Sequence, residues 1–297
     1  MIFRLVRRIL VRRTLVRRTF VRRTWPVGAV TLILGLSGHA VHAQGKLEAR
    51  YSGSLAGLPI GRGALLVDIH ADQFSISATG ATAGLLRVFA SGQGSSMARG
   101  TVSGGQLVPA SYASQIIADK RTDDVRMLLG AGMVKEFIAE PPTSPSPDRV
   151  PLTDAHRKNV LDPMTASLIR VPGTGNTFVP EACLGKIPIF DGRMRYDIQL
   201  AFKRLDKVKS DRGYQGTVVV CSVYFSPIAG HIPDRAAIKY LAHLREMETW
   251  LAPVAGTRFM APYRISIPTP LGLGVLQASH FVSEPQSRPS ATSVTTQ

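Results

Sequence analysis

Few residues in this chain are of a type and spacing that could do chemistry. Cys183 and Cys221 are its only cysteines, and they form no Cys-x-x-Cys pair that would make a local zinc or redox motif. In an oxidising compartment they fit a single disulfide closing a loop across a hairpin, which restricts the unfolded chain by roughly 3 to 4 kcal/mol. In a reducing one they are two unpaired buried thiols. His70, His156, His231, His243 and His280 stand apart, none paired at a metal-ligand spacing, and His-Glu-x-x-His is absent. No metal or cofactor is expected. The stretch Gly53, Ser54, Leu55, Ala56, Gly57 resembles a nucleophile elbow only in composition, and Gly92, Gln93, Gly94 lacks the lysine of a phosphate loop. Asp123 and Asp124 are adjacent, so a strand sends their carboxylates to opposite faces, a poor arrangement for paired acid-base work. His231, after Pro227, Ile228, Ala229 and Gly230, reads as a turn histidine rather than a general base. No catalytic residue is assigned, and the chain reads as a non-enzyme.

One charged cluster remains, formed by Asp191, Arg193, Arg195 and Asp197. Two arginines two positions apart on a strand face the same way, so Arg193, Arg195 and Asp197 are the candidate ligand-binding residues for an anion or head group. The competing reading is a charge-balanced hairpin face in water. The element that must position them is a hairpin: Asp191-Gly192 is a turn signal between Ile187 to Phe190 and the run from Arg193 to Phe202. Alternation there puts Met194, Tyr196, Ile198, Leu200 and Phe202 on one face and Arg193, Arg195, Asp197 and Gln199 on the other. The run Thr217 to Phe225 is β-branched with little alternation, as in a strand covered on both sides. Tyr196 and Trp250 read as core anchors.

The first 43 residues carry nine arginines and no acid, with Val-Arg-Arg repeating from positions 6, 11, 16 and 21, then an apolar core from Trp25 to Leu36 and a small-residue site at Val41, His42, Ala43. That is the pattern of a secretory signal peptide cleaved after Ala43, and it places the mature protein in the periplasm. The apolar core is short of the roughly 20 residues that span a bilayer. Without those arginines, 27 basic residues face 20 acidic ones and the formal charge falls from +16 to +7. The basic residues are scattered with no aromatic array, which argues against nucleic acid.

Residues 44–283 read as one β domain, built of short alternating strands at the spacing of all-β architecture. Lys46 to Leu55, Gly63 to Ile69 and Phe74 to Ala78 are strands; Gly84 to Phe89 is a helical turn or a strand; Leu107 to Ile138 is a three-strand antiparallel meander. The proline-rich stretch from Pro141 to Pro147 must be an exposed loop. Two helices are expected, one beginning near Thr153 and broken at Asp162-Pro163, with Asp162 as cap of a further turn, and one over about Asp234 to Thr249. Residues 284–297 form a polar tail expected to be disordered. So many strands must curl or split, because twist accumulates; the expected fold is all-β, a large antiparallel sheet curled into an open or spiral barrel with one or two short helices.

The set Phe190-Asp-Gly-Arg-Met-Arg-Tyr-Asp197, Cys221 and Pro227-Ile-Ala-Gly230, with Leu161-Asp-Pro163, Trp250-Leu-Ala-Pro253 and Pro262-Tyr-Arg-Ile265, resembles a proteobacterial family of exported proteins known as a domain of unknown function. The resemblance covers most of residues 46–283 and implies a periplasmic protein of large antiparallel β architecture, with no catalytic residues to carry over. The functional expectation is a non-enzymatic envelope protein that binds a lipid, a glycan or another envelope protein within or beside the sheet. A periplasmic hydrolase whose groups converge from distant loops, or a purely structural scaffold, are the alternatives.

Overall fold

The computed structural model describes residues 44–83, 92–119 and 121–286. The leader predicted for residues 1–43, the Gly84 to Phe89 segment and the chain beyond Gln286 lie outside them. Seven strands come first: β1 (Gly45–Leu55), β2 (Leu58–Ile69), β3 (Gln73–Thr82), β4 (Gly92–Ser103), β5 (Gln106–Ala118), β6 (Arg121–Gly130) and β7 (Met133–Glu140). A linker follows with helix α1 (Pro163–Ala166) and the two-residue β8 (Ile169–Arg170). Then come β9 (Gly185–Phe190), β10 (Arg195–Lys209), β11 (Arg212–Gly213), β12 (Gln215–Ala229), helix α2 (Ala236–His243), β13 (Met247–Pro253), β14 (Phe259–Thr269) and β15 (Gly272–Pro285). β15 runs past the expected start of the tail, pairing Pro285 with Gly45 and Glu284 with Lys46.

Hydrogen-bonded neighbours run β7-β6-β5-β4-β3-β2-β1-β15-β14-β13-β12-β10-β9. Two meanders are therefore joined where the first strand meets the last. Tight turns make this possible: Gly104 and Gly105 between β4 and β5 both take positive φ, 57° and 71°, which glycine adopts without a Cβ clash. β7 and β9 stand at opposite ends of this order, yet the rings of Phe137 and Phe190 meet edge to face at 5.4 Å. The sheet is thus curled into an open barrel. Its ladder does not close; residues 158–161 strap the seam instead. Val160 N donates to Gly132 O in the β6–β7 turn at 3.2 Å, Lys158 bridges Met133 of β7, and Leu161 N donates to Pro188 O of β9 at 2.9 Å, so one short segment touches both edge strands.

Two cores lie against the sheet. The larger gathers Leu47, Val67, Ile76, Met127, Phe190, Tyr263 and Phe281. The smaller packs Leu200, Val219, Leu251 and Met260 around Cys183 and Cys221. β12 lies between the two: Val218 and Val220 belong to the first, Val219 and Cys221 to the second, and all four are fully buried. That is the double-sided burial expected of its unbroken β-branched run.

The expected helix over Asp234 to Thr249 is shorter in the structure. α2 ends at His243, and Met247 already begins β13. Met247 and Thr249 are buried, and β13 pairs with both β12 and β14, so ladder formation overrides the helical spacing of Ile238, Leu241 and Leu244.

Candidate functional site

Asp162 begins the site. Its Oδ1 accepts from the amides of Met164 and Thr165, each at 2.9 Å, and its Oδ2 accepts the Thr165 hydroxyl at 2.6 Å. With Pro163 at the first position, this is the expected helix start. Burial pushes the Asp162 carboxyl above its ordinary range, against these hydrogen bonds. The cap holds a one-turn helix too short to persist alone, and its Pro163 and Ala166 turn toward a cavity of about 260 Å³.

That cavity is walled by five strands that are neighbours in the sheet: Ile187 from β9, Ile198 from β10, Val223 from β12, Leu251 from β13 and Ile265 from β14. Tyr196, Thr249 and Ser167 are its polar lining. Burial raises the Tyr196 phenol well above its usual value, so it remains a neutral hydroxyl at any ordinary pH. Leu200 and Leu251 are shared with the core around the disulfide. Cys183 and Cys221 stand at bonding distance, 2.05 Å between sulfurs and 5.5 Å between Cα atoms, tying the 3-10 turn Pro180–Cys183 to β12.

The charged hairpin residues do not converge. Asp191 Oδ1 accepts from the amides of Arg193 and Met194, at 2.8 and 2.7 Å, which keeps Arg193 in the turn. The Arg193 guanidinium crosses the seam to Asp123 of β6, 3.0 Å away, and to the Thr143 hydroxyl. Arg195 instead pairs with Asp197, whose second oxygen takes Lys186 at 2.9 Å. Asp197 is buried, with its side chain only 4% exposed. Burial opposes its charge, but Lys186 and Arg195 outweigh that and hold the carboxyl below its ordinary range. His231 is buried in a turn whose carbonyl accepts from Val150 N at 2.9 Å, and burial lowers its pKa.

A second charged group gives no local sequence signal. Trp250 packs against the larger core, with the guanidinium carbons of Arg204 and Arg264 at 5.2 and 5.0 Å from its ring centroid. Its indole N–H donates to Glu248 at 2.9 Å, and Glu248 also receives Lys203 at 2.6 Å and Arg204 at 3.2 Å. Burial would raise this carboxyl, but the three donors hold it at about 2. A folded-state value depressed from 4.5 stabilises the protein above the unfolded value and loses that stabilisation as pH falls toward 2, about 3 kcal/mol in all. Denaturant titrations from pH 6 to 2 are expected to show a steeper loss in the parent than in Glu248→Gln. Equal slopes would remove Glu248 from the account.

Among the described residues there is no group of three or more His, Cys, Asp or Glu side chains placed to hold a metal. No described helix is long and apolar enough to cross a membrane.

A family model described as "Protein of unknown function (DUF3108)" matches residues 48–278. No curated protein matches the chain. Among solved structures, a β-barrel-like protein of the domain of unknown function DUF1849 from Brucella abortus aligns at 8% identity with a TM-score of 0.45, covering 81% of this chain and 97% of that one.

Proposed function

This chain belongs to the family of proteins of unknown function DUF3108, and on that footing we propose that it is an exported, non-enzymatic envelope protein that holds an apolar ligand, a lipid chain, in the cavity beside α1. The observation that carries this reading is the lining: Ile187, Ile198, Val223, Leu251 and Ile265 converge on a partly open hollow with three hydroxyls at its wall, the composition of a ligand site. An apolar wall left facing water gains the burial of its surface when an apolar chain covers it, so a lipid tail in this hollow is bound by the area it removes from water. At about 260 Å³ the cavity lies below the roughly 300 to 1,000 Å³ of drug-sized sites and suits a single acyl chain. The reading places the mature protein in the periplasm after cleavage behind Ala43.

Native mass spectrometry of protein purified from its own envelope, followed by solvent extraction, tests the proposal. Retained lipid is expected. Val223→Trp should lower retention about tenfold through loss of cavity volume while the melting temperature moves by about 5 °C or less. Absence of lipid together with turnover of an ester or glycan panel would replace the carrier reading with a hydrolase. Exchanging Arg193 and Arg195 for glutamate, read with circular dichroism showing an intact fold because Arg195 neutralises the buried Asp197, asks whether these residues also meet a head group. Unchanged retention would leave them as ties of the hairpin.

A further inference from the structure

A second cavity of about 450 Å³ lies on β2 to β5, on the face turned away from the Leu65, Ile76 and Ala98 core. Register builds it. Arg62 pairs with Ala81, Ala81 with Gln93, and Gln93 with Ile117; one step along, Thr79 pairs with Ser95 and Ser95 with Gln115. Cross-strand partners share a face, so guanidinium, two amides and two hydroxyls point into one space. Gly80 and Gly94 are paired at its centre and contribute backbone alone.

The donor set is specific in kind. Arg62 is exposed, and among the described residues its guanidinium has no carboxylate at salt-bridge distance and no hydrogen bond; the Gln93 side-chain amide likewise makes none. No carboxylate lines the cavity. The neighbouring acid, Asp124, is held by Arg126 at 3.1 Å and accepts from Gln115 at 3.2 Å. One uncompensated guanidinium offers a planar fork for a carboxylate or phosphate, and amides and hydroxyls fixed on strands match the alternating donors and acceptors of sugar hydroxyls.

We infer that this face binds an acidic saccharide, with Arg62 on the anionic group and Gln93, Gln115, Thr79 and Ser95 on the hydroxyls. The site is separate from the apolar cavity, and neither assignment depends on the other.

Calorimetric titration of the full chain with glucuronate, glucose 6-phosphate, glucose and inorganic phosphate tests it. Saturable binding of at least one acidic sugar is expected, about tenfold tighter than glucose. Arg62→Gln should reduce that sugar to the glucose level, and Gln93→Leu should weaken glucose and acidic sugar alike. Both residues are exposed, and unchanged circular dichroism would show that the variants fold. No saturable heat up to about 20 mM, or equal affinity in Arg62→Gln, would overturn the site. Inorganic phosphate binding as tightly as the sugars would overturn its saccharide character.

Discussion

Cys183→Ser is expected to lower the stability of the fold by about 4 kcal/mol, the chain-entropy cost of releasing a loop of 38 residues. Both cysteines are fully buried, and their bond pins the Pro180–Cys183 turn over Leu200, Val219, Leu251 and Met260. The four come from four separate strands, β10, β12, β13 and β14, so loosening the turn exposes the core that also backs the apolar cavity. Urea unfolding of the oxidised parent and the variant measures the loss, and ligand retention should fall with it. A variant as stable as the parent would show that the turn is held by packing alone. Two alkylated thiols in protein isolated from its own envelope without reductant would show that the bond does not form there.

Asp197→Ala is expected to cost about 3 to 5 kcal/mol, because it leaves Arg195, with its side chain 14% exposed, as an uncompensated buried cation. Lys186 is mostly exposed and loses little. Arg195 keeps one bond, donated to the Tyr196 carbonyl at 2.6 Å, which does not neutralise it. The double variant Arg195→Met with Asp197→Leu should recover most of the loss, since apolar side chains of similar volume carry no desolvation penalty. Equal stability of parent and single variant would sink the argument. The depressed Asp197 carboxyl stabilises the fold above the ordinary carboxylate range and gives that up as pH falls through its lowered folded value, so the single variant should also be less acid-dependent than the parent.

The hairpin shows why its site reading was only half legible. Asp191-Gly192 marks the turn correctly, and β9 and β10 pair Phe190 with Arg195 around it. The expected strand from Arg193 begins instead at Arg195, because Asp191 captures the amides of Arg193 and Met194. A register shift between Arg195 and Tyr196 further breaks the simple alternation. Arg193 and Arg195 therefore serve different partners, and Asp197 is buried where alternation placed it on the water face.

Local rules were sufficient wherever the deciding contact lies within a few residues. Alternation located β1, and turn signals with short connections located β5, β6 and β7; an unbroken apolar run marked β12 as buried on both faces; Asp162-Pro163 announced a capped helix start. These signals depend on periodicity and backbone sterics, which the sequence carries by itself. It also determined that the sheet must curl, since accumulated twist does not depend on which side chains meet. Only the tertiary structure decided what the curl brings together. The apolar cavity takes walls from β9, β10, β12, β13 and β14, Trp250 receives Arg204 from β10 and Arg264 from β14, and Arg62 shares a groove with Gln93 and Gln115. Those neighbours are set by strand order and register over tens of residues, and a single bulge shifts which side chains share a face.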